Sequence, residues 1–192
     1  MKPMTSLAAG LAMMAIAVPD SLAEDQFKLL VLATPGKYHY EYIPIARDNL
    51  ERLAKLHSFA LTYTGKTQVF EGDLKQYAAV MFLNTPGEEL NPAQRANFED
   101  YMRGGGNAVV VHRAAIAKPN DWVWFEKMVG RTVGLHPKLQ TGVVTVVDKR
   151  FPATFGLPER WVWSDEFYTF TNPYNVRINP VLNVDESSYD PT

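Results

Sequence analysis

The chain has 192 residues, 46% hydrophobic and 21% charged, with a formal net charge of −2. That size and composition fit one folded domain with its own core and exclude a disordered chain, while the near-neutral charge excludes the basic footprint of a nucleic-acid binder. There is no cysteine, which excludes disulfides, thiolate metal ligands and cysteine nucleophiles.

Residues 1–23 read as a secretory signal. Lys2 supplies the positive start, residues 7–18 form a short uncharged apolar run, and Ser21-Leu22-Ala23 places small residues at −3 and −1 of a cut before Glu24. No later apolar run is long enough to span a bilayer. The expectation is a periplasmic or secreted protein with no stable membrane insertion after signal cleavage.

The mature chain then alternates. Residues 27–33 (FKLLVLA) form a continuous apolar run and predict a buried strand. Residues 34–42 (TPGKYHYEY) are a loop announced by Pro35-Gly36. Pro44 suits the first turn of a helix, and Ile43, Ala46, Leu50, Leu53 and Leu56 recur at helical spacing behind it. Residues 59–64 predict a weaker strand, 73–77 a short helix or turn, and 78–83 (AAVMFL) a third, buried strand. A turn-rich loop (NTPGEEL) leads to Asn91-Pro92-Ala93-Gln94, which joins an N-cap, a proline at the first helical position and a glutamine three residues on. The helix it opens runs to Arg103 with Phe98, Tyr101 and Met102 inward, and three glycines stop it.

Residues 108–111 (AVVV) are an uninterrupted apolar run, β-branched from Val109, as in a central strand covered on both faces, and they stop at His112. Asn120-Asp121 can cap a short helix over residues 122–129, ended by Gly130; residues 142–147, 161–170 and 176–184 are strand-like. Strands alternating with helices predict a parallel, doubly wound sheet followed by a strand-rich extension.

In such sheets ligands bind beyond the carboxyl ends of the strands. Three predicted loops leave those ends, and they gather Lys37, Tyr38, His39, Tyr40, Asn84, Thr85, His112 and Arg113 on one rim. His112 is a candidate proton-transferring base or metal ligand. His39 stands in an aromatic loop, YHYEY, and His136 is pushed to extended backbone by Pro137. Asp165 and Glu166 lie between aromatic residues in WVWSDEFY, where partial desolvation suits a carboxyl group to acid–base work. On a strand the two point to opposite faces, so one of them joins a given site. Two histidines and a carboxylate also admit a divalent metal, with His112, His136 and Glu166 as the candidate ligands.

The segments FKLLVLATPGKYHYEYIP, VMFLNTPGEELNPAQRANFEDYMRGGGNAVVVHRAA, DWVWFEKMVGRTVGLHP and VVDKRFPATFGLPERWVWSDEFYTF together resemble the trehalose-utilisation (ThuA-like) family. The resemblance implies a three-layer, flavodoxin-like α/β sheet of the class I glutamine-amidotransferase type and a link to carbohydrate metabolism. It marks His39, His112, His136, Asp165, Glu166 and Tyr168 as pocket residues. Three features depart from the family pattern: Arg113 follows the strand-end histidine, Phe151 stands where a histidine is usual, and the chain stops at Thr192 where members continue into further strands. The ThuA-like domain, residues 24–192, is therefore expected to be C-terminally incomplete. Amidotransferase chemistry is excluded because it needs a cysteine thiolate.

The reading from sequence is an exported protein that binds or transforms a sugar or glycoside. His112 with Glu166 or Asp165 would carry the chemistry, and His39, Asn84, Arg113, His136 and Tyr168 would hold the substrate. A non-catalytic carbohydrate-binding module, or an inactive truncated member, is the alternative.

Overall fold

The computed structural model describes residues 24–36, 38–116 and 119–192. The expected signal segment and Lys37 lie outside the described residues. The parallel sheet is built from β1 (Lys28–Leu32), β2 (Ala60–Thr64), β3 (Ala79–Leu83) and β4 (Asn107–Val111), in the order β2-β1-β3-β4. The chain runs from β1 outward to β2, then returns past β1 to β3. The crevice between β1 and β3 is thus the point where strand order reverses.

Strand alternation divides the core into two layers. Leu29 and Val31 face α1 (Tyr42–Leu56), which packs Tyr42, Ile43, Ala46 and Leu50 against them. Leu30, Leu32, Val80 and Phe82 face the opposite side, where α2 (Pro92–Arg103) and α3 (Val123–Val129) contribute Phe98, Tyr101 and Phe125. Phe70, Phe82, Phe98 and Phe125 are fully buried and meet edge-on or tilted, with centroids between 5.1 and 6.5 Å apart. Each such ring contributes roughly 1.5–3 kcal/mol through burial. Leu56, expected on the α1 stripe, is 66% exposed; the stripe turns away at its end and Ala54 takes the buried place.

α2 starts and stops as its sequence dictates. Asn91 and Gln94 form a reciprocal capping box, and the buried Gln94 amide also donates to Glu71 at 2.9 Å. At the other end Gly106 N–H reaches Tyr101 O and Gly105 N–H reaches Met102 O, with Gly105 at φ 93°. This is a Schellman motif, and it aims the chain into β4.

β4 corrects an expectation. It lies at the edge of the sheet among the described residues, and Val109 is 41% exposed. A valine run reports preference for extended backbone but not which strands flank it. α3 is capped at Trp122 without a side-chain bond, not by Asn120 or Asp121. Its Glu126 is fully buried and accepts from Tyr174 Oη at 2.6 Å, which ties the C-terminal segment to the main layers.

The strand-rich extension is antiparallel. β6 (Gln140–Val146) is flanked by β7 (Arg160–Asp165) and β9 (Leu182–Asp185), and β5 (Thr132–Val133) pairs with β8 (Phe170–Thr171). β9 is shorter than the strand expected over 176–184, because residues 176–180 do not join the ladder and Val181 meets it only through its carbonyl, which accepts from Val147 N–H at 2.9 Å.

Candidate functional site

The loops after β1 and β3 are locked together at their roots. Thr34 N–H donates to Thr85 Oγ1 at 2.8 Å, and the Thr85 hydroxyl donates to Leu83 O at 3.3 Å. Just beyond, His39, Asn84 and His112 adopt left-handed backbone with φ of 56°, 57° and 57°. Such conformations cost roughly 1–3 kcal/mol each in non-glycine residues and cluster at functional sites. Here they turn one residue from each of the three strand-end loops onto the same rim.

Asn84 is buried and fixes the chemistry of His112. Its Nδ2 donates to Tyr38 O at 2.9 Å, so Oδ1 is the atom that faces His112 Nδ1 at 3.0 Å. An amide oxygen only accepts, so Nδ1 carries the hydrogen and Nε2 of the neutral ring keeps its lone pair. Burial holds the His112 pKa below the ordinary histidine value, with the His39 charge acting the same way and Glu166 and Asp165 opposing it. The His39 ring meets His112 edge-on at 4.8 Å, and Tyr42 lies edge-on at 6.1 Å.

A second group forms where β7 ends. Glu166 Oε2 lies 3.2 Å from Tyr168 Oη, 3.5 Å from His136 Nε2 and 3.8 Å from His39 Nε2. Tyr168 Oη is also 3.1 Å from His136 Nε2, while His136 Nδ1 bonds Pro137 O at 3.0 Å. Since a carbonyl only accepts, Nδ1 carries the hydrogen in this ring too. One phenolic hydrogen therefore serves two acceptors, Glu166 and His136, and a further proton on His136 Nε2 would complete the set. Burial, and then the Glu166 charge, push the Tyr168 pKa up to about 12.

Tyr38, His39, His112, Arg113, Ile116, His136 and Tyr168 line a cavity of about 170 Å³ between these groups. Most of the expected residues therefore meet: His39, Arg113, His112, His136 and Tyr168 on the wall, Asn84 behind His112, and Glu166 beside Tyr168. Asp165 does not join the wall. It is exposed, accepting from Trp163 Nε1 at 3.1 Å and from Glu166 N–H at 2.9 Å, so Glu166 alone is the carboxylate of the cluster.

The metal-ligand expectation also changes. Among the described residues, His39, His112 and Glu166 are the group whose donor atoms lie within 4.8 Å of one another, so His39 stands where His136 was expected. Ile116 and Tyr42 were not anticipated. The short helical turn His112–Ala115 carries the chain on to Ile116, and no periodic pattern in the sequence marked it. A wider concavity of about 490 Å³ lies at the amino ends of the strands, lined by Asp25, Glu51, Lys55 and Phe59, away from His39, His112 and His136.

The family described as "Trehalose utilisation" (ThuA) matches residues 28–192. A ThuA-like protein from Bacteroides uniformis superposes with a TM-score of 0.76 at 26% identity, over 96% of this chain and 74% of that one. One from Parabacteroides merdae gives a TM-score of 0.68 at 19% identity, over 84% and 70%. A glutamine amidotransferase from Thermotoga maritima shares the fold at a TM-score of 0.50 and 15% identity, over 81% and 66%. No curated protein matches.

Proposed function

Because the chain belongs to the ThuA family of trehalose utilisation, we propose that its rim pocket receives one ring of a sugar or sugar derivative and moves a proton on it. The observation that carries this reading is the cluster of Glu166, Tyr168 and His136, which share hydrogen bonds at 3.1–3.2 Å on one wall of the cavity. Tyr168 is the donor toward a hydroxyl or a developing oxyanion, and Glu166 Oε2 is the acceptor. His136 relays the exchanged proton. Arg113 offers fixed donors to hydroxyls or to an anionic substituent.

A cavity of about 170 Å³ is smaller than the ~300–1,000 Å³ of common small-molecule sites. It suits one pyranose ring with any second ring outside the mouth. Export to the periplasm or exterior remains part of the reading, and it rests on residues 1–23. Among the described residues no helix is long and apolar enough to cross a membrane.

A second reading is a carbohydrate-binding module without turnover. It is favoured by an apolar groove on the antiparallel sheet, lined by Trp161, Trp163, Phe167 and Leu182, with Trp163 54% exposed. Indole faces of this kind stack on sugar rings. The two readings separate in one experiment: calorimetry with glucose and trehalose, and proton NMR of the same sugars and their oxidised derivatives in D₂O, on Glu166→Gln and Trp163→Ala. The rim reading expects Glu166→Gln to abolish deuterium incorporation and Trp163→Ala to leave it. Loss of sugar binding in Trp163→Ala alone, with no deuterium incorporated by the unmodified protein, would establish the module instead.

A further inference from the structure

We infer that His39, His112 and Glu166 form a divalent-metal site at the mouth of the rim pocket. This deepens the sugar reading, since the ion would share the pocket with the sugar ring, and with Glu166 on the ion the proton would go to His136 Nε2. The three side chains come from the loops after β1, β4 and β7, yet their donor atoms lie within 4.8 Å of one another. His39 and His112 both reach the site from left-handed backbone, and each is a non-glycine residue kept there against a local cost.

The arrangement behind the donors is that of a prepared ligand. Asn84 accepts the Nδ1 hydrogen of His112 and thereby leaves Nε2 as the coordinating nitrogen, the tautomer that second-shell partners of metal-bound histidines commonly enforce. Tyr168 steadies Glu166 Oε2 from the other side. Ligands at about 2.1 Å from an ion stand roughly 3.0–3.4 Å apart. The 3.8 Å between His39 Nε2 and Glu166 Oε2 is close to that range, and the widest spacing must contract by about 1.5 Å. His39, exposed and on a loop, is the group placed to move.

Two imidazoles and one carboxylate leave coordination positions open, as in catalytic rather than structural sites. The donor set suits zinc, manganese or ferrous iron better than calcium or magnesium, which prefer oxygen alone. An ion here would lie beside the cavity, within reach of vicinal sugar hydroxyls or a hydroxy-ketone.

The test uses the full chain, stripped with chelator and titrated with Zn²⁺ and separately with Mn²⁺, with no sugar present. One ion per chain is expected. His39→Asn, which tolerates the left-handed backbone at this position, and Glu166→Gln should each weaken it at least about 10-fold while circular dichroism and the melt stay unchanged. The exposed His57→Ala should bind as the unmodified chain does. Manganese should broaden the imidazole resonances of His39 and His112 before that of His57. No stoichiometric binding of either ion, or binding indifferent to His39 and Glu166, overturns the site. Because sugar is absent, that failure leaves the deuterium-exchange result to judge the proposed function separately.

Discussion

Replacing Asn84 by alanine removes the acceptor of His112 Nδ1–H and the donor to Tyr38 O, and leaves a Cβ-bearing residue without a compensating side chain at φ 57°. Both losses fall at a buried position. We expect the variant to be less stable by at least about 2 kcal/mol, measured as a lower urea midpoint at unchanged slope; equal midpoints would mean the relay contributes nothing to folding. At this scale the sequence was informative wherever chemistry followed from strand-end position. His39 and His112 were picked out as rim residues because parallel strands share one carboxyl edge, whereas His136 was marked by the family resemblance. The finer choices were not readable. β7 ends at Asp165, one residue before Glu166, and that ending decides which carboxylate turns inward. His39 takes the place expected of His136 among the candidate metal donors, and no residue in YHYEY announces the left-handed turn on which it sits.

Among the elements, the C-terminus of α2 depends on close approach as much as on backbone freedom. A Cβ at Gly106 would fall 2.3–2.6 Å from the ring of Tyr101, whose hydroxyl is in turn fixed by Asn107 N–H at 3.1 Å. Gly106→Ala must displace that ring, and overpacking of this kind costs about 1–3 kcal/mol. The melting temperature should fall by roughly 2–4 °C per kcal/mol for a chain of this size; an unchanged melt would show that the ring yields freely. The capping box of α2 was legible residue by residue because a cap involves only its own neighbours. The place of β4 was not, since strand order is settled by partners distant in the chain. The α1 stripe was legible for most of its length and failed only at Leu56, where the helix outruns the sheet beneath it.

For the molecule as a whole, burial raises the pKa of Tyr42, Tyr63 and Tyr101 above the ordinary tyrosine value. The unfolded chain ionises near pH 10 while the folded chain keeps these protons, so unfolding is favoured increasingly as pH rises past about 10. Through these hydroxyls stability should be flat between pH 8 and about 10 and decline above that until the folded hydroxyls ionise as well. Urea midpoints between pH 8 and 11 would show the decline, and Tyr101→Phe should reduce its slope; a slope unaffected by that change would place the linkage elsewhere. The overall architecture, a parallel sheet followed by an antiparallel extension, was readable from the change in pattern after Gly130. How the extension docks was not, because it relies on single contacts such as Tyr174 to Glu126 that carry no periodic signal.

The marginal position of β4 has a practical consequence for handling the protein. Among the described residues no strand pairs with its outer side, and its sequence, NAVVV, contains neither lysine nor proline to discourage a newcomer. Vacant rungs on a valine-rich ladder invite self-association between molecules. Samples should thus be kept dilute, or the chain given a gatekeeping charge at Val109, where the side chain already meets solvent.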